Sequence, residues 1–316
     1  MERFDWKVTI KTNIFVLRLM GLWPKGNENY KSDWYTLYSL LAINLLAIAH
    51  TSLQTVSLFH VYTDLEVLTE LIFVYGIELI CLVKLYSFLK NMGMIKELMV
   101  QLDSELFQPK TRKQVVLAKS CQKEWTLTYM VFCSSCLMTV FFWAFSPIFD
   151  GFVKQKRLPF VAWYFFDFKK SPIYEMTYIH QIMSVAFMAG AAVNIDMFIA
   201  ALVMYLGAQC DLLCDNLRHT KNLTGSGFEQ RLLCYLQHHK DIIRFGENCG
   251  KCFEIVIFGQ FFTSSVCIGL AMFQMTLVVP LSSEFCSLFF YVATISVQIF
   301  QYCWFGNQVE VKVGSN

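Results

Sequence analysis

Six stretches of the chain are long and apolar enough to read as helices that cross a lipid bilayer. A crossing helix needs about 20 mostly apolar residues, and such runs lie at roughly 34–59, 67–89, 125–149, 178–208, 255–281 and 285–305. The third, fifth and sixth contain no Asp, Glu, Lys or Arg. The polar connections at about 90–124 and 207–254 are long enough to hold helices that extend beyond the bilayer. After a Gly-Ser break, the second of these places apolar residues three and four apart, which predicts a helix running into the fifth span. Ahead of the first run, residues 1–24 mix charges with apolar residues at helical spacing and lack the features of a cleaved signal peptide. They predict an amphipathic helix at the membrane surface, with Phe4, Val8, Phe15 and Leu19 on or near its apolar side. No repeat, low-complexity tract or second soluble domain interrupts the pattern. The expected fold is all-α, a polytopic membrane helical bundle forming one domain over 1–316.

Composition agrees with the periodicity. With 56% hydrophobic residues, 16% charged residues and 30 Phe, the chain has too little polar surface to cover a soluble core. A net charge of +2 with scattered basic residues excludes nucleic acid, which needs a concentrated cationic face. The basic residues set the orientation instead. Segments before the first span, between the second and third, between the fourth and fifth, and after the sixth carry six, seven, six and one Lys or Arg. Only the third connection, with five (Lys154, Lys156, Arg157, Lys169 and Lys170), opposes them. The positive-inside rule therefore places the N-terminus in the cytosol. The sequon Asn222-Leu223-Thr224 then falls on the cytosolic side and is expected to carry no glycan. Twelve cysteines lie mostly in apolar runs or cytosolic connections, so few or no disulfides are expected.

Chemistry-bearing patterns are sparse. His238 and His239 precede Cys249 and Cys252, four potential zinc ligands, but adjacent histidines rarely face one ion, so thiols and imidazoles on a helical layer is the preferred reading. Cys133 and Cys136 sit inside an apolar span, where desolvation disfavours a reactive thiolate. No phosphate-binding loop, dinucleotide fingerprint or nucleophile motif occurs, so no enzyme, cofactor or metal is expected. Glu70, Glu78 and Lys84 in the second span and Asp196 in the fourth are costly in a membrane and need partners or water. Lys84 and Asp196 are expected to reach water near the cytosolic ends of their spans. The better functional lead is an apolar cavity in the outer halves of the spans. Its candidate lining is Leu71, Phe73 and Tyr75; Phe141, Phe142 and Phe145; Met183, Phe187 and Met188; and Phe289 and Tyr291. Aromatic and Met side chains there suit a small volatile or lipid-like ligand. At helical spacing such residues are more often core or lipid-facing, and about a third of them are expected to touch a ligand.

Ordered motifs point to a family. The third connection carries Leu158-Pro159, Trp163, Asp167, Ser171-Pro172, Tyr174-Glu175, Tyr178 and Gln181 in that order, and it resembles the second extracellular loop of insect odorant receptors. Residues 17–24, "LRLMGLWP", His239 with Ile242-Ile243, and the Phe-rich approach to the fifth span agree. So does Tyr302-Cys303-Trp304-Phe305-Gly306-Asn307, which looks like the family signature after the sixth span. Phe165 departs from the proline found in many members. The resemblance implies a seven-helix protein, inverted relative to G-protein-coupled receptors. Such proteins are ligand-binding subunits of a heterotetrameric, odorant-gated, non-selective cation channel completed by a shared olfactory co-receptor. They reside in the dendritic plasma membrane of sensory neurons. In the family the odorant binds among the outer halves of the second, third, fourth and sixth spans. A gustatory receptor of the same superfamily, or a small-molecule transporter using Glu70, Glu78 and Asp196, is the alternative. After Asn307 only a short polar tail remains, so the expectation is six of the seven spans, an incomplete product without the pore-lining helix.

Overall fold

The computed structural model describes residues 3–26, 33–149, 151–220 and 226–314; the Asn222 sequon lies outside them. Its regular structure is helical. After a short helix α1 (Lys11–Leu19), the first span is one continuous rod made of α2 (Trp34–Ala42), a π segment (Ile43–Ile48) and α3 (Ala49–Val61). α4 (Leu65–Lys90) returns across the bundle and leads into α5 (Met92–Gln101). Asp64 caps α4 by accepting from the backbone N–H groups of Glu66 and Val67, which satisfies donors that a helix start leaves open. The remaining spans are α6 (Arg112–Phe149), α7 (Ile173–Thr220), α8 (Ser226–Leu277) and α9 (Ser283–Gly314). Among the described residues six helical segments are long and apolar enough to cross a membrane.

Several helices are far longer than a crossing requires. The 52 residues of α8 extend about 78 Å at 1.5 Å per residue, against about 30 Å of hydrocarbon. The surplus of α6, α7 and α8, with α1 and α5, builds a helical layer at one end of the bundle, called here the far end. The opposite, loop end carries residues 151–172. As the spacing predicts, α8 runs unbroken from the polar stretch into the fifth apolar run. Residues 308–314, read from the sequence as a polar tail, instead continue α9 as helix.

α7 is the central pillar: 83% of its most apolar stretch is buried inside the bundle, against 28% for α8 and 17% for α6. Its Ala- and Gly-rich middle, 186–192, lets neighbouring helices approach closely, the usual device where lipid supplies no hydrophobic drive for helix association. α4 and α8 use the same device. A Cβ on Gly259 would lie 2.8 Å from the Ile80 side chain, and one on Gly76 would lie 3.0 Å from Cys267 Sγ. α1 packs on α7 through Asn13, which donates to the Asn194 carbonyl, and buries Leu17, while Phe15 and Leu19, with Val8 ahead of the helix, face outward; Phe4 is half-buried against Trp6. All twelve cysteines are free thiols.

Candidate functional site

Periodicity along four helices brings one face of each to a common space. α4 contributes Val74, Ile77, Glu78 and Cys81; α6 contributes Phe132, Cys136, Thr139, Val140 and Trp143; α7 contributes Val185, Met188, Ala189, Ala192 and Val193; and α9 contributes Tyr291 and Gln298. These positions recur at three, four and seven residues, one stripe per helix. They line a cavity of about 80 Å³. An apolar cavity of about 150 Å³ holds benzene, so a ring-sized guest requires the wall to yield. Met188, unbranched and adaptable, is the side chain on that wall best able to do so.

Trp143 separates this cavity from a more polar vestibule at the loop end. It lines both spaces, as does Val74, and its ring stands 5.2 Å from Tyr291 and 5.3 Å from Phe160. The vestibule is bordered by Glu70, Arg157 and Glu284. The Arg157 guanidinium lies 3.8 Å from the Glu70 carboxylate.

The loop over the vestibule is pinned by the same residues that carry the sequence motif. Gln181 accepts from Phe160 N–H at 3.1 Å and donates to its carbonyl at 3.0 Å. Tyr174 donates to the Arg157 carbonyl and Tyr178 to that of Ala144. Trp163 stacks on His60 at 5.6 Å, and Leu158 and Pro159 line the vestibule. Asp167 accepts from Lys169 N–H. Ser171 and Pro172 lead directly into α7.

A layer of buried polar groups lies one helical turn below the cavity, on three of its helices. Lys84 follows Cys81, Asp196 follows Val193 and Tyr302 follows Gln298 by three or four positions. Lys84 Nζ lies 2.7 Å from Asp196 Oδ1, with 1% and 0% of the two side chains exposed. Tyr302 Oη donates to Asp196 Oδ1 at 2.7 Å, and Gln298 Nε2 donates to Oδ2. This corrects the expectation that Lys84 and Asp196 reach water. Each lies too deep to do so and meets the other instead, a pairing invisible in a sequence where 112 positions separate them. Glu78 finds partners on the first span: Gln54 Nε2 donates at 3.2 Å, His50 Nε2 lies at 3.3 Å and Thr51 at 3.4 Å.

The sequence-derived pocket residues are dispersed. Met188 and Tyr291 line the cavity, and Phe73 lines the vestibule, 5.3 Å from the Tyr291 ring, with its carbonyl accepting from Tyr291 Oη. Leu71 is buried elsewhere, and Tyr75 faces Thr55. Phe142 stacks on Phe290, and Phe187 packs half-buried against the main core. Phe141, Phe145, Met183 and Phe289 are exposed on the outside of the bundle. Sequence reasoning missed Trp143, Gln298 and the α7 alanines. Glu78, the lone acid on an apolar stripe, was the signal that marks the inward face of α4. In the signature after the cavity, Tyr302 and Phe305 are buried, while Cys303, Trp304, Gly306 and Asn307 are exposed. His238 meets Gln209, and Cys252 meets Met94. Among the described residues no three His, Cys, Asp or Glu side chains gather at a metal-sized site.

Comparison with known proteins places this geometry. The sequence model described as 7tm Odorant receptor matches residues 64–315. Odorant receptor Or1 of Anopheles gambiae is 22% identical over 339 residues, covering 98% of this chain and 80% of that protein. Odorant receptor 46a, isoform A, of Drosophila melanogaster is 21% identical, covering 93% and 77%. Among solved structures, the insect olfactory receptor OR5 of Machilis hrabei superposes with a TM-score of 0.84, covering 96% of this chain and 80% of that one at 20% identity. Its complex with eugenol gives a TM-score of 0.82, covering 94% and 78%, again at 20% identity.

Proposed function

The chain belongs to the 7tm odorant receptor family, and we propose that it serves as the ligand-binding subunit of a heteromeric, odorant-gated, non-selective cation channel. The observation that carries this reading is the cavity itself. It is lined by apolar stripes from α4, α6, α7 and α9, with few polar atoms on its wall, the setting in which a small volatile molecule is held by shape and dispersion. The shared olfactory co-receptor completes a heterotetramer in the dendritic membrane, with the far end of the bundle in the cytosol. Occupancy shifts the closed-to-open equilibrium only by the ligand's difference in affinity for the two states. Gln298 sits in the cavity wall and also donates to Asp196, which holds Tyr302. A guest that moves Gln298 therefore acts on the far end of α9.

The transporter alternative is suggested by the intramembrane acids Glu70, Glu78 and Asp196. Glu70 faces Arg157, Asp196 faces Lys84, and Glu78 faces His50 and Gln54, which supports the receptor reading.

The test is binding by the purified chain in lipid nanodiscs, titrated with a panel of small volatile molecules and followed by tryptophan fluorescence. Saturable binding of a subset, abolished by Ala189→Phe, which fills the cavity, is the expected result. Ligand binding that Ala189→Phe leaves unchanged would place the site elsewhere. Co-purification of this chain with the co-receptor tests the channel assembly, and consistent failure of the two to associate would overturn that part.

A further inference from the structure

Most hydroxyl, amide and carboxyl groups on the cavity wall are already committed. Tyr291 Oη donates to the Phe73 carbonyl, and Thr139 Oγ1 bonds the Ser135 carbonyl and Thr294. The Gln298 amide donates to Asp196 and accepts from Gln260. Cys81 Sγ donates to the Met188 carbonyl. Glu78 is the acceptor with room to spare. Its Oε1 receives Gln54 and faces His50, but Oε2 receives only a long contact from Thr51 at 3.4 Å. A carboxyl group has roughly four acceptor positions, so Oε2 retains capacity. Directly behind it, Gln54 Oε1 and His50 Nδ1 are buried with no hydrogen-bond partner. With Gln54 Nε2 turned towards Glu78, the amide oxygen points away. His50 Nε2 lies 3.3 Å from Glu78 Oε1 and 3.2 Å from Gln54 Nε2, so one tautomer donates to the carboxylate and the other accepts from the amide. Glu78 Oε2 and Gln54 Oε1 are the acceptors here that no neighbouring donor fully meets.

We infer that Glu78 is a specificity-determining residue that selects ligands carrying a hydrogen-bond donor, an alcohol, phenol or amine head on a small apolar body. This rests on the cavity being the odorant site. A buried acceptor left unmet disfavours the capped analogue, so discrimination exceeds what an apolar wall alone supplies.

Matched probes test it on the full chain in nanodiscs: phenol against anisole, and benzylamine against ethylbenzene. Each donor-bearing probe is expected to bind roughly ten- to a hundredfold more tightly than its partner. A preference in the phenol pair alone identifies neutral hydroxyl heads as the class. A preference in the benzylamine pair alone identifies ammonium heads. Glu78→Gln keeps an acceptor and removes the acid, so it should erase the amine preference while sparing part of the phenol one. Glu78→Leu should erase both if it folds, and the wild-type comparison stands without it. Equal binding within both pairs overturns the inference and leaves the apolar site standing, with the spare acceptors served by water. No saturable binding of any probe overturns the cavity as the site and this inference with it.

Discussion

Replacing Asp196 by Ala removes the acceptor shared by Lys84, Gln298 and Tyr302 and leaves a buried ammonium without its counter-ion. Breaking one side of a buried ion pair costs about 3–5 kcal/mol, because the surviving charge stays desolvated. Lys84→Met leaves the Asp196 carboxylate with two donors, Gln298 and Tyr302, and should cost less, about 1–3 kcal/mol. The double variant Lys84→Met with Asp196→Leu removes both charges, and such replacements of buried pairs are often neutral or stabilising. At about 2 °C per kcal/mol for a chain of this size, Asp196→Ala lowers the melting temperature by about 6–10 °C and Lys84→Met by about 2–6 °C. The double variant returns towards the parent. Unfolding followed by tryptophan fluorescence in nanodiscs reads all three. The reasoning fails if Lys84→Met is as damaging as Asp196→Ala, or if the double variant is worse than either single.

Trp143→Ala should merge the cavity with the vestibule, since that ring lines both; binding assays with a graded ester series should then accept larger members. Gln181→Leu removes both hydrogen bonds that hold Phe160 and the one to Tyr164. Hydrogen exchange at 158–164 should accelerate, and stability should fall by about 1–3 kcal/mol. Gly259→Ala crowds the Ile80 side chain at 2.8 Å and should cost about 1 kcal/mol. Adding Ile80→Val should recover most of that loss in the same melting assay.

The spans, the helix that enters the fifth of them, and the family motifs were legible in the sequence, because length, hydropathy and residue order are local properties. The rotational setting of each helix was not. In a bilayer both the lipid-facing and the protein-facing sides of a span are apolar, so hydropathy carries little information about which side turns inward. Phe141, Phe145, Met183 and Phe289 look like cavity residues for that reason, yet face outward, while Trp143, Val185 and two α7 alanines face in. Ionisable residues escape the ambiguity, since Glu78 can only face protein or water. Their partners still come from distant segments: Lys84 meets Asp196, and Glu78 meets His50 and Gln54. The sequence by itself thus determined that the chain is a bundle of membrane-crossing helices and which family it resembles. The tertiary structure alone decided which stripes meet around the cavity and which charges neutralise one another, because those depend on the packing phase between helices rather than on any one of them.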